Sequence, residues 1–427
     1  MHTSPASALQ SAPASAERAA RESYGRLVAW LAYQWRDVAA AQDAMGEALA
    51  KALALWPVQG VPGNPDAWLL SVAKRELLQA ARSQRQRASP EVQALLPDEA
   101  FYEDAPAVPD ARLKLLFVCA HPAIDASIRP ALMLQTVLGL DAQVVAQAML
   151  TSPSAMAQRL VRAKQKIRDA RLRFEEPDAD ELPARLHAVL EAIYAAYGLG
   201  WDAVDGGDET DGQFCGLRSE ALFLGALVSH LLPDAPEAMG LLALMLFCES
   251  RVNARYTSTG DFVPLAEQDT QLWDKTTISQ AETLLQSASR KQMVGPFQLE
   301  AAIQSAHCQR LFTGSTPWDS IAYLYEKLLQ TAPSVGAQVA QAVAWAQTGD
   351  LEKARFLIAE IDPQRVKTYQ PYWVAKAHIE LLSGDTLAHA QSHRQAIGLT
   401  SSASIRRYLQ TQSTNEQGNI GQASVTP

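Results

Sequence analysis

Side chains that bind phosphate and base edges are concentrated in one stretch of this sequence, residues 153–173. Its polar and basic residues are Gln158, Arg159, Arg162, Lys164, Lys166, Arg168, Arg171 and Arg173. Arginine and lysine bind phosphate oxygens, and glutamine and arginine also form paired hydrogen bonds with base edges in the major groove. The chemistry that this set of residues favours is therefore recognition of nucleic acid.

A helix-turn-helix would place these side chains on one surface. Asp141 can cap a first helix, and Ser152 followed by Pro153 is typical of the start of a second. In the second helix, apolar residues recur at spacings of four, three, four and three, which predicts a buried stripe: Met156, Leu160, Ala163, Ile167 and Ala170. A cap, a buried stripe and a basic outer face are the features of a recognition helix. An ordinary amphipathic helix with a solvated charged face is the alternative interpretation.

Composition and charge divide the chain of 427 residues into a basic front and an acidic back. Residues 1–174 hold 20 Lys and Arg against 16 Asp and Glu, whereas the remainder holds 17 against 30. Alanine and leucine dominate and alternating apolar patterns are rare, which indicates an all-α fold. The first residues have no charged segment followed by an apolar one, the four cysteines form no CxxC pair, and no apolar run reaches membrane-spanning length. A cytoplasmic protein is expected.

The pattern along the chain predicts seven segments. Residues 1–16 form a disordered tail, 17–87 a helical domain, 88–110 an acidic linker and 111–174 the helix-turn-helix domain. Residues 175–315 form a helical extension with one possible short hairpin at 255–264, and residues 411–427 form a second disordered tail. Between them, residues 316–410 contain a weak repeat, in which Gly349-Asp350 matches Gly384-Asp385 at an offset of 35. Paired helices at that period are typical of tetratricopeptide-like repeats, which bind protein segments.

Catalytic and metal-binding sites are not expected. Cys119 with His121, and His307 with Cys308, are candidate metal ligands, but their spacing gives no set of four. No Ser/His/Asp set, phosphate-binding loop or GxGxxG motif is present. The sequence therefore predicts neither an enzyme nor a protein with a cofactor.

The front half resembles a bacterial RNA polymerase sigma factor of the extracytoplasmic-function type, in the sigma-70 family. Residues 41–49 resemble the helix that docks on the polymerase clamp, residues 57–66 the loop that captures an extruded −10 base, and residues 65–87 the −10 reader. Residues 156–164 carry the most specific resemblance to the −35 reader. Segments around 267–274 and 295–303 resemble signatures of the subgroup with a long extension containing tetratricopeptide-like repeats.

This resemblance implies roles for individual residues. The −35 element would be read by Ser154, Gln158, Arg159, Arg162 and Lys166. The −10 element would be read by Asn64, Trp68, Lys74, Arg75 and Arg82. Core RNA polymerase would be bound by Asp43 and Glu47, although Gln42 and Gly46 depart from the Glu and Gln that the docking helix usually has. The implied partners are core polymerase, promoter DNA and a protein bound by the repeats, and no membrane is implied.

Two questions stay open from the sequence. The acidic extension would either fold against the basic front half and gate it, or dock on polymerase or on a signalling protein. The rival function is a stand-alone helix-turn-helix regulator, which explains the back half equally well but gives no purpose to the helical domain that ends at Arg87. A purely structural helical scaffold would leave the basic face at 158–173 without a role.

Overall fold

The computed structural model describes residues 23–87, 111–149, 151–172, 174, 177–178, 180–202 and 216–423. The predicted all-α class is confirmed for these residues. The hairpin expected at 255–264 is reduced to one antiparallel bridge between Tyr256 and Phe262. Within the described ranges, no helix combines the length and apolar content needed to cross a bilayer. The predicted tail at 1–16 and linker at 88–110 lie outside the described residues.

Two compact units divide the chain. The first contains the described residues of Met1–Leu199 and Gly216–Leu224, and the second those of Gly200–Cys215 and Gly225–Pro427. The first unit therefore extends beyond residue 174, where the sequence predicts the end of the second DNA-reading domain. One reason is Arg112, whose side chain is almost fully buried, pairs with Glu220 and stacks on Phe223. A buried guanidinium needs such a partner, and this one comes from more than a hundred residues away.

Up to residue 231, the described residues form nine α-helices. They are α1 (23–35), α2 (Val38–Gln59), α3 (Pro65–Arg87), α4 (Arg112–Cys119), α5 (Arg129–Thr136), α6 (Ala142–Ala148), α7 (Pro153–Asp169), α8 (Leu182–Asp202) and α9 (Leu217–Leu231). A short 3-10 turn, Ala126–Ile128, precedes α5.

Side-chain caps start the helices that carry the predicted reading residues. The Asn64 side chain accepts a hydrogen bond from the Ala67 amide at 3.1 Å, and the Ser152 hydroxyl accepts one from the Ala155 amide at 3.3 Å. Pro65 and Pro153 follow as the first helical residues, where the missing amide hydrogen is not needed. Because a cap and a proline act locally, the sequence alone locates both helix starts.

In residues 40–56, Met45, Leu49, Leu53 and Trp56 recur at spacings of four, four and three, which predicts that these four residues form the buried stripe of α2. Its buried face is mostly alanine, with Met45 and Trp56, whereas Leu53 is 53% exposed. The predicted stripe of large residues is therefore wrong at Leu53, because small alanines let the neighbouring helices approach this side of α2. The helix also continues through Pro57 to Gln59, so the connecting loop begins at Gly60 and not at Pro57.

Fourteen further helical segments complete the described chain. They are α10 (Pro236–Glu249), three 3-10 turns (Val252–Ala254, Leu265–Glu267 and Thr270–Leu272), α11 (Lys275–Ser289), α12 (Pro296–Cys308), α13 (Arg310–Thr313), α14 (Trp318–Thr331), α15 (Val335–Thr348), α16 (Leu351–Ala359), α17 (Pro363–Val366), α18 (Gln370–Leu382), α19 (Thr386–Leu399) and α20 (Ala403–Ala423). Helix α20 runs through most of the segment whose composition predicts a disordered tail from residue 411.

In the second unit, the two helix pairs of the predicted repeat are each joined by the same kind of turn. Gly349 and Gly384 both adopt the left-handed conformation, with φ of 93° and 77°. Asp350 and Asp385 then cap the next helices by accepting hydrogen bonds from the Lys353 and Ala388 amides, each at 3.0 Å. Glycine ends one helix and aspartate begins the next, which explains why Gly-Asp recurs at the offset of 35.

The start of α12 is capped by a carboxylate from another helix. The Glu237 side chain in α10 accepts hydrogen bonds from the backbone amides of Phe297 and Gln298, at 2.9 and 3.1 Å. It also accepts one from the Gln298 side chain at 3.0 Å. Gly295 leaves room for this carboxylate, because a Cβ there would lie 2.3 Å from it. The signature around residues 295–299 is therefore explained by packing against Glu237.

Replacing Glu237 with alanine would leave these amides without their acceptor. We expect Glu237→Ala to destabilise the second unit by about 1–3 kcal/mol, the usual penalty for a buried unpaired donor. Urea unfolding measures the loss, and hydrogen exchange should show faster exchange in a peptide covering Phe297 and Gln298. The control is Glu326→Ala, at an exposed position of α14. Equal stability of the two variants would contradict the capping role.

Candidate nucleic-acid interface

Helix α7 separates an apolar buried side from a polar outer side. Met156, Leu160, Ala163 and Ile167 are buried, as predicted, and hold the helix against its neighbours. Ala170, the last residue of the predicted stripe, is exposed because the helix ends at Asp169. Four of the five residues assigned to base reading lie exposed on the outer side: Ser154, Gln158, Arg162 and Lys166. The geometry leaves these four side chains accessible to a groove of DNA.

Arg159 has a different environment from the other four. It is partly buried, and its Nη2 donates a hydrogen bond to the Ser127 hydroxyl at 2.7 Å. Ser127 belongs to the 3-10 turn Ala126–Ile128, so this bond ties α7 to the turn before α5. A base contact by Arg159 would require this bond to break, which distinguishes Arg159 from its neighbours on α7.

Val161 is an exposed apolar residue that sequence reasoning did not assign. It is 66% exposed and follows Gln158 by one helical turn, next to Arg162. A β-branched residue on a solvated helix face adds no packing and has a lower helix propensity than lysine or arginine. The thymine methyl group is the apolar feature that the major groove offers to such a side chain. The signal that could have found Val161 is its place on the polar face, outside the buried stripe.

Residues assigned to the −10 element lie on α3 and at its start. Asn64 and Arg75 are exposed, and so is Arg82. Trp68 packs edge-on against Trp56, with 5.5 Å between ring centroids. Lys74 lies 4.6 Å from the centroid of the Trp30 ring, a cation–π distance. Trp68 and Lys74 therefore contribute to packing between helices, while Asn64, Arg75 and Arg82 present their side chains to solvent.

Residues assigned to polymerase docking lie on the exposed side of α2. Asp43 and Glu47 are one helical turn apart and both are exposed. The Asp43 carboxylate also acts electrostatically on the partly buried Lys164 of α7. Burial lowers the pKa of Lys164, and the nearby Asp43 carboxylate offsets part of that effect. Asp43, which the resemblance assigns to polymerase docking, therefore interacts electrostatically with a lysine of α7.

The two candidate pairs of metal ligands are Cys119 with His121, and His307 with Cys308. Burial raises the pKa of Cys119 to about 12, and its thiol lies 3.3 Å from the Thr136 hydroxyl. Burial, together with Arg251 and Arg310, lowers the pKa of His307 to about 3. In the described part of the chain, no group of three or more His, Cys, Asp or Glu side chains is arranged to hold a metal ion.

Comparison with known proteins identifies two families along the chain. The family model of Sigma-70 region 2 matches residues 21–87, which contain α1, α2 and α3. A family of unknown function, DUF6596, matches residues 185–289. The chain is also 33% identical to the uncharacterized protein R00370 of Rhizobium meliloti (strain 1021), over 387 residues that cover 88% of this chain and 90% of that protein. No solved structure matches the chain.

The match to Sigma-70 region 2 covers every residue assigned to −10 reading and to polymerase docking. Region 2 implies binding to core RNA polymerase and to promoter DNA, which favours initiation of transcription over the role of a stand-alone regulator. The chain belongs to the same family as the Rhizobium meliloti protein, and its Sigma-70 region 2 makes it a sigma-70 family sigma factor.

Proposed function

We propose that this chain is an extracytoplasmic-function sigma factor, with α3 reading the −10 element and α7 reading the −35 element. The observation that carries the proposal is the construction of α7. Its apolar stripe is buried, while Gln158, Arg162 and Lys166 are exposed on the opposite side. This helix occurs in the same chain as a Sigma-70 region 2. A sigma factor needs both readers, and α3 and α7 would each supply one.

Base contacts and phosphate contacts would have different roles in recognition. Phosphate contacts fix the position of the protein on the duplex and make binding depend on salt. Base contacts from the exposed residues of α7 would select the −35 sequence, each contributing about 1–3 kcal/mol of discrimination. At the −10 element, a base held against the loop that precedes Asn64 would offset an unstacking cost of about a few kcal/mol.

Core polymerase would supply most of the useful affinity. The excess of positive charge in residues 1–174 is small, with 20 basic against 16 acidic residues, so tight autonomous binding to DNA is not expected. Polymerase would hold both readers near the promoter and convert the second contact into an intramolecular step. The proposed site of action is the cytoplasm, where core polymerase acts. The chain would need no cofactor and would catalyse no reaction of its own.

The back half would regulate or anchor the sigma factor through tetratricopeptide-like repeats. Two Gly-Asp turns join the helix pairs α15–α16 and α18–α19. A cleft of about 370 Å³ lies along the second pair, and its lining includes Trp373, Gln395 and the ion pair of Lys376 with Glu380. An aromatic ring, amides and paired charges suit the backbone and side chains of a peptide. We propose a protein segment as the ligand of this cleft.

Transcription with reconstituted holoenzyme tests the proposed function. Core polymerase, the full chain and a library of promoter fragments should give transcripts that share two upstream sequence elements. Polymerase without this chain should give none of them. Transcripts that start without any shared upstream element would contradict the proposal.

Gln158→Ala, compared with Gln165→Ala, tests base reading by α7. Gln165 is exposed on the same helix, but its amide is bonded to Asp169 at 2.7 Å. We expect Gln158→Ala to lose about 1–3 kcal/mol of discrimination at one base pair of the −35 element, because a paired hydrogen bond is removed. Gln165→Ala should retain the original preference. Transcription from a −35 library measures both, and equal behaviour of the two variants would reject the assignment.

Val161→Ala should weaken the preference for thymine at one position of the −35 element. The expected loss is about fourfold, from roughly 0.8 kcal/mol for the one Val161 methyl group that would lie against the thymine methyl. Replacing that thymine with deoxyuridine removes the methyl group from the DNA side. The free-energy losses from Val161→Ala and from deoxyuridine should not add when the two changes are combined, because both remove the same methyl–methyl contact. Full additivity, or no effect of any deoxyuridine, would show that Val161 does not contact a thymine methyl.

A further inference from the structure

Two arginines lie against one tryptophan in the second unit. The guanidinium carbon of Arg310 is 5.1 Å from the centroid of the Trp273 ring, and that of Arg251 is 5.9 Å from it. Arg251 lies just after α10, Trp273 just before α11 and Arg310 at the start of α13. We call these three side chains, together with that of Gln268, the arginine cluster. Three distant parts of the sequence therefore bring two positive charges to a single indole ring.

No carboxylate of the described residues neutralises either guanidinium. The Nη2 atom of Arg251 donates to the Gln304 side-chain oxygen at 2.7 Å. Arg310 donates to the backbone carbonyl oxygens of Ala266 and Gln268, the second at 2.6 Å. Burial lowers the pKa of Arg310, and the charge of Arg251 lowers it further. A charged group that leaves water is normally paired with an opposite charge, so the arginine cluster carries an uncompensated positive charge.

Three hydrogen-bond donors of the cluster are buried without an acceptor in the described part of the chain. They are Nη1 of Arg251, Nε1 of Trp273 and Nε of Arg310. Arg251 is 6% exposed and Trp273 is 3% exposed, so bulk water does not supply an acceptor. An unpaired buried donor destabilises a fold, and proteins satisfy nearly all such groups. Oxygen atoms of an anion are the acceptors that both the charge and these donors favour.

Gln268 adds one unsatisfied acceptor to the same cluster. Its side-chain nitrogen donates to the Val263 carbonyl oxygen at 3.3 Å, whereas its side-chain oxygen is buried without a donor among the described residues. Its backbone carbonyl accepts from Arg310, which places the residue beside that guanidinium. The cluster therefore presents several N–H donors and one carbonyl acceptor. An oxyanion that retains a hydroxyl proton matches both kinds of group, whereas sulfate and an ionised carboxylate only accept hydrogen bonds.

We propose that the arginine cluster is a binding site for a small, protonated oxyanion, and that hydrogenphosphate is its occupant. Phosphate oxygens accept hydrogen bonds from Arg251, Trp273 and Arg310, and the phosphate hydroxyl donates to the Gln268 side chain. Hydrogen bonds between a guanidinium and phosphate are charge-assisted and therefore stronger than neutral ones. The match to DUF6596 contains three of these four residues, so the proposal gives that part of the chain a ligand.

A ligand would reach the cluster at Arg310. This side chain is partly exposed, whereas Arg251, Gln268 and Trp273 are buried. Backbone carbonyl oxygens hold its guanidinium, and a phosphate competes well with such neutral acceptors. Rotation of the Arg310 side chain therefore opens the route, and the same guanidinium then binds the anion. The bound phosphate would connect α10, the turn before α11 and α13, and would stabilise the second unit.

Isothermal titration calorimetry of the full chain tests the identity of the ligand. Sodium phosphate, sodium sulfate and sodium acetate are titrated separately at neutral pH and at one ionic strength. We expect phosphate to bind about tenfold more tightly than sulfate or acetate, because phosphate alone donates a hydrogen bond to the Gln268 oxygen. A saturating concentration of phosphate should also raise the midpoint of thermal unfolding.

Arg310→Gln and Trp273→Phe test the residues of the site. Arg310→Gln removes a charge from a partly exposed side chain, and we expect phosphate binding to weaken by at least about tenfold. Trp273→Phe retains an aromatic ring but removes the indole N–H, and we expect a loss of about fivefold. The control is Arg290→Gln, which removes an exposed guanidinium at the end of α11 and should bind phosphate like the unchanged chain. Circular dichroism verifies that each variant is folded.

Three results would contradict the proposal. Binding of sulfate as tight as that of phosphate would reject hydrogenphosphate as the occupant. Equal phosphate binding by Arg310→Gln, Trp273→Phe and Arg290→Gln would place the anion elsewhere on the chain. Absence of binding by the unchanged chain would leave the arginine cluster with a purely structural role. None of these measurements involves polymerase or DNA, so each of these failures would leave the proposed function unaffected.

Discussion

The close contact between Gly25 and the Val137 carbonyl is the constraint on which the first unit depends. It requires a residue without a side chain in α1, and it places the turn after α5 directly against that helix. From this point the neighbouring contacts follow along the chain: Tyr24 with Gly139, Gln42 with the Gln135 carbonyl, and Asp37 with Arg168. The region assigned to one promoter element is thereby packed against the helices assigned to the other.

The proposed recognition of DNA depends on how α7 and α3 distribute their side chains between the protein interior and the surface. Helix α7 needs its buried stripe only to stay attached, so the opposite side is available for Gln158, Val161 and Arg162. Helix α3 uses Trp68 and Lys74 for packing and leaves Asn64 and Arg75 accessible at the loop and on the outer side. Fewer side chains are therefore available to DNA than the number of basic residues suggests. Some basic side chains, such as Lys74, already contact other parts of the protein.

Local signals in the sequence were sufficient to predict much of this fold. Caps at Asn64 and Ser152, proline at the next position, and the stripe from Met156 to Ile167 are properties of neighbouring residues. Gly349-Asp350 and its repeat predicted two helix turns in the same way. These features depend on φ preferences and on hydrogen bonds across three or four residues, which a single sequence displays directly.

Contacts between distant residues could not be predicted in that way. Nothing near Arg112 indicates Glu220, nothing near Phe297 indicates Glu237, and nothing near Arg168 indicates Asp37. Each pair is fixed by how helices pack. For the same reason, the resemblance implies DNA contacts for Arg159 and Lys74, although the fold uses both side chains internally. Leu53 is exposed for a similar reason, because alanines occupy the contact side of α2.

A distance measurement between α3 and α7 tests the central claim, that the close contact of Gly25 with the Val137 carbonyl oxygen holds the helices of the first unit together. Spin labels at Gln79→Cys in α3 and Asp169→Cys in α7 would occupy exposed positions, in a chain whose Cys215 is replaced by serine. Pulsed electron paramagnetic resonance should give one narrow distance distribution in the chain that retains Gly25 and a broader one in Gly25→Ala, because a Cβ there would lie 1.9 Å from the Val137 carbonyl oxygen. The same narrow distribution in both chains would contradict the account.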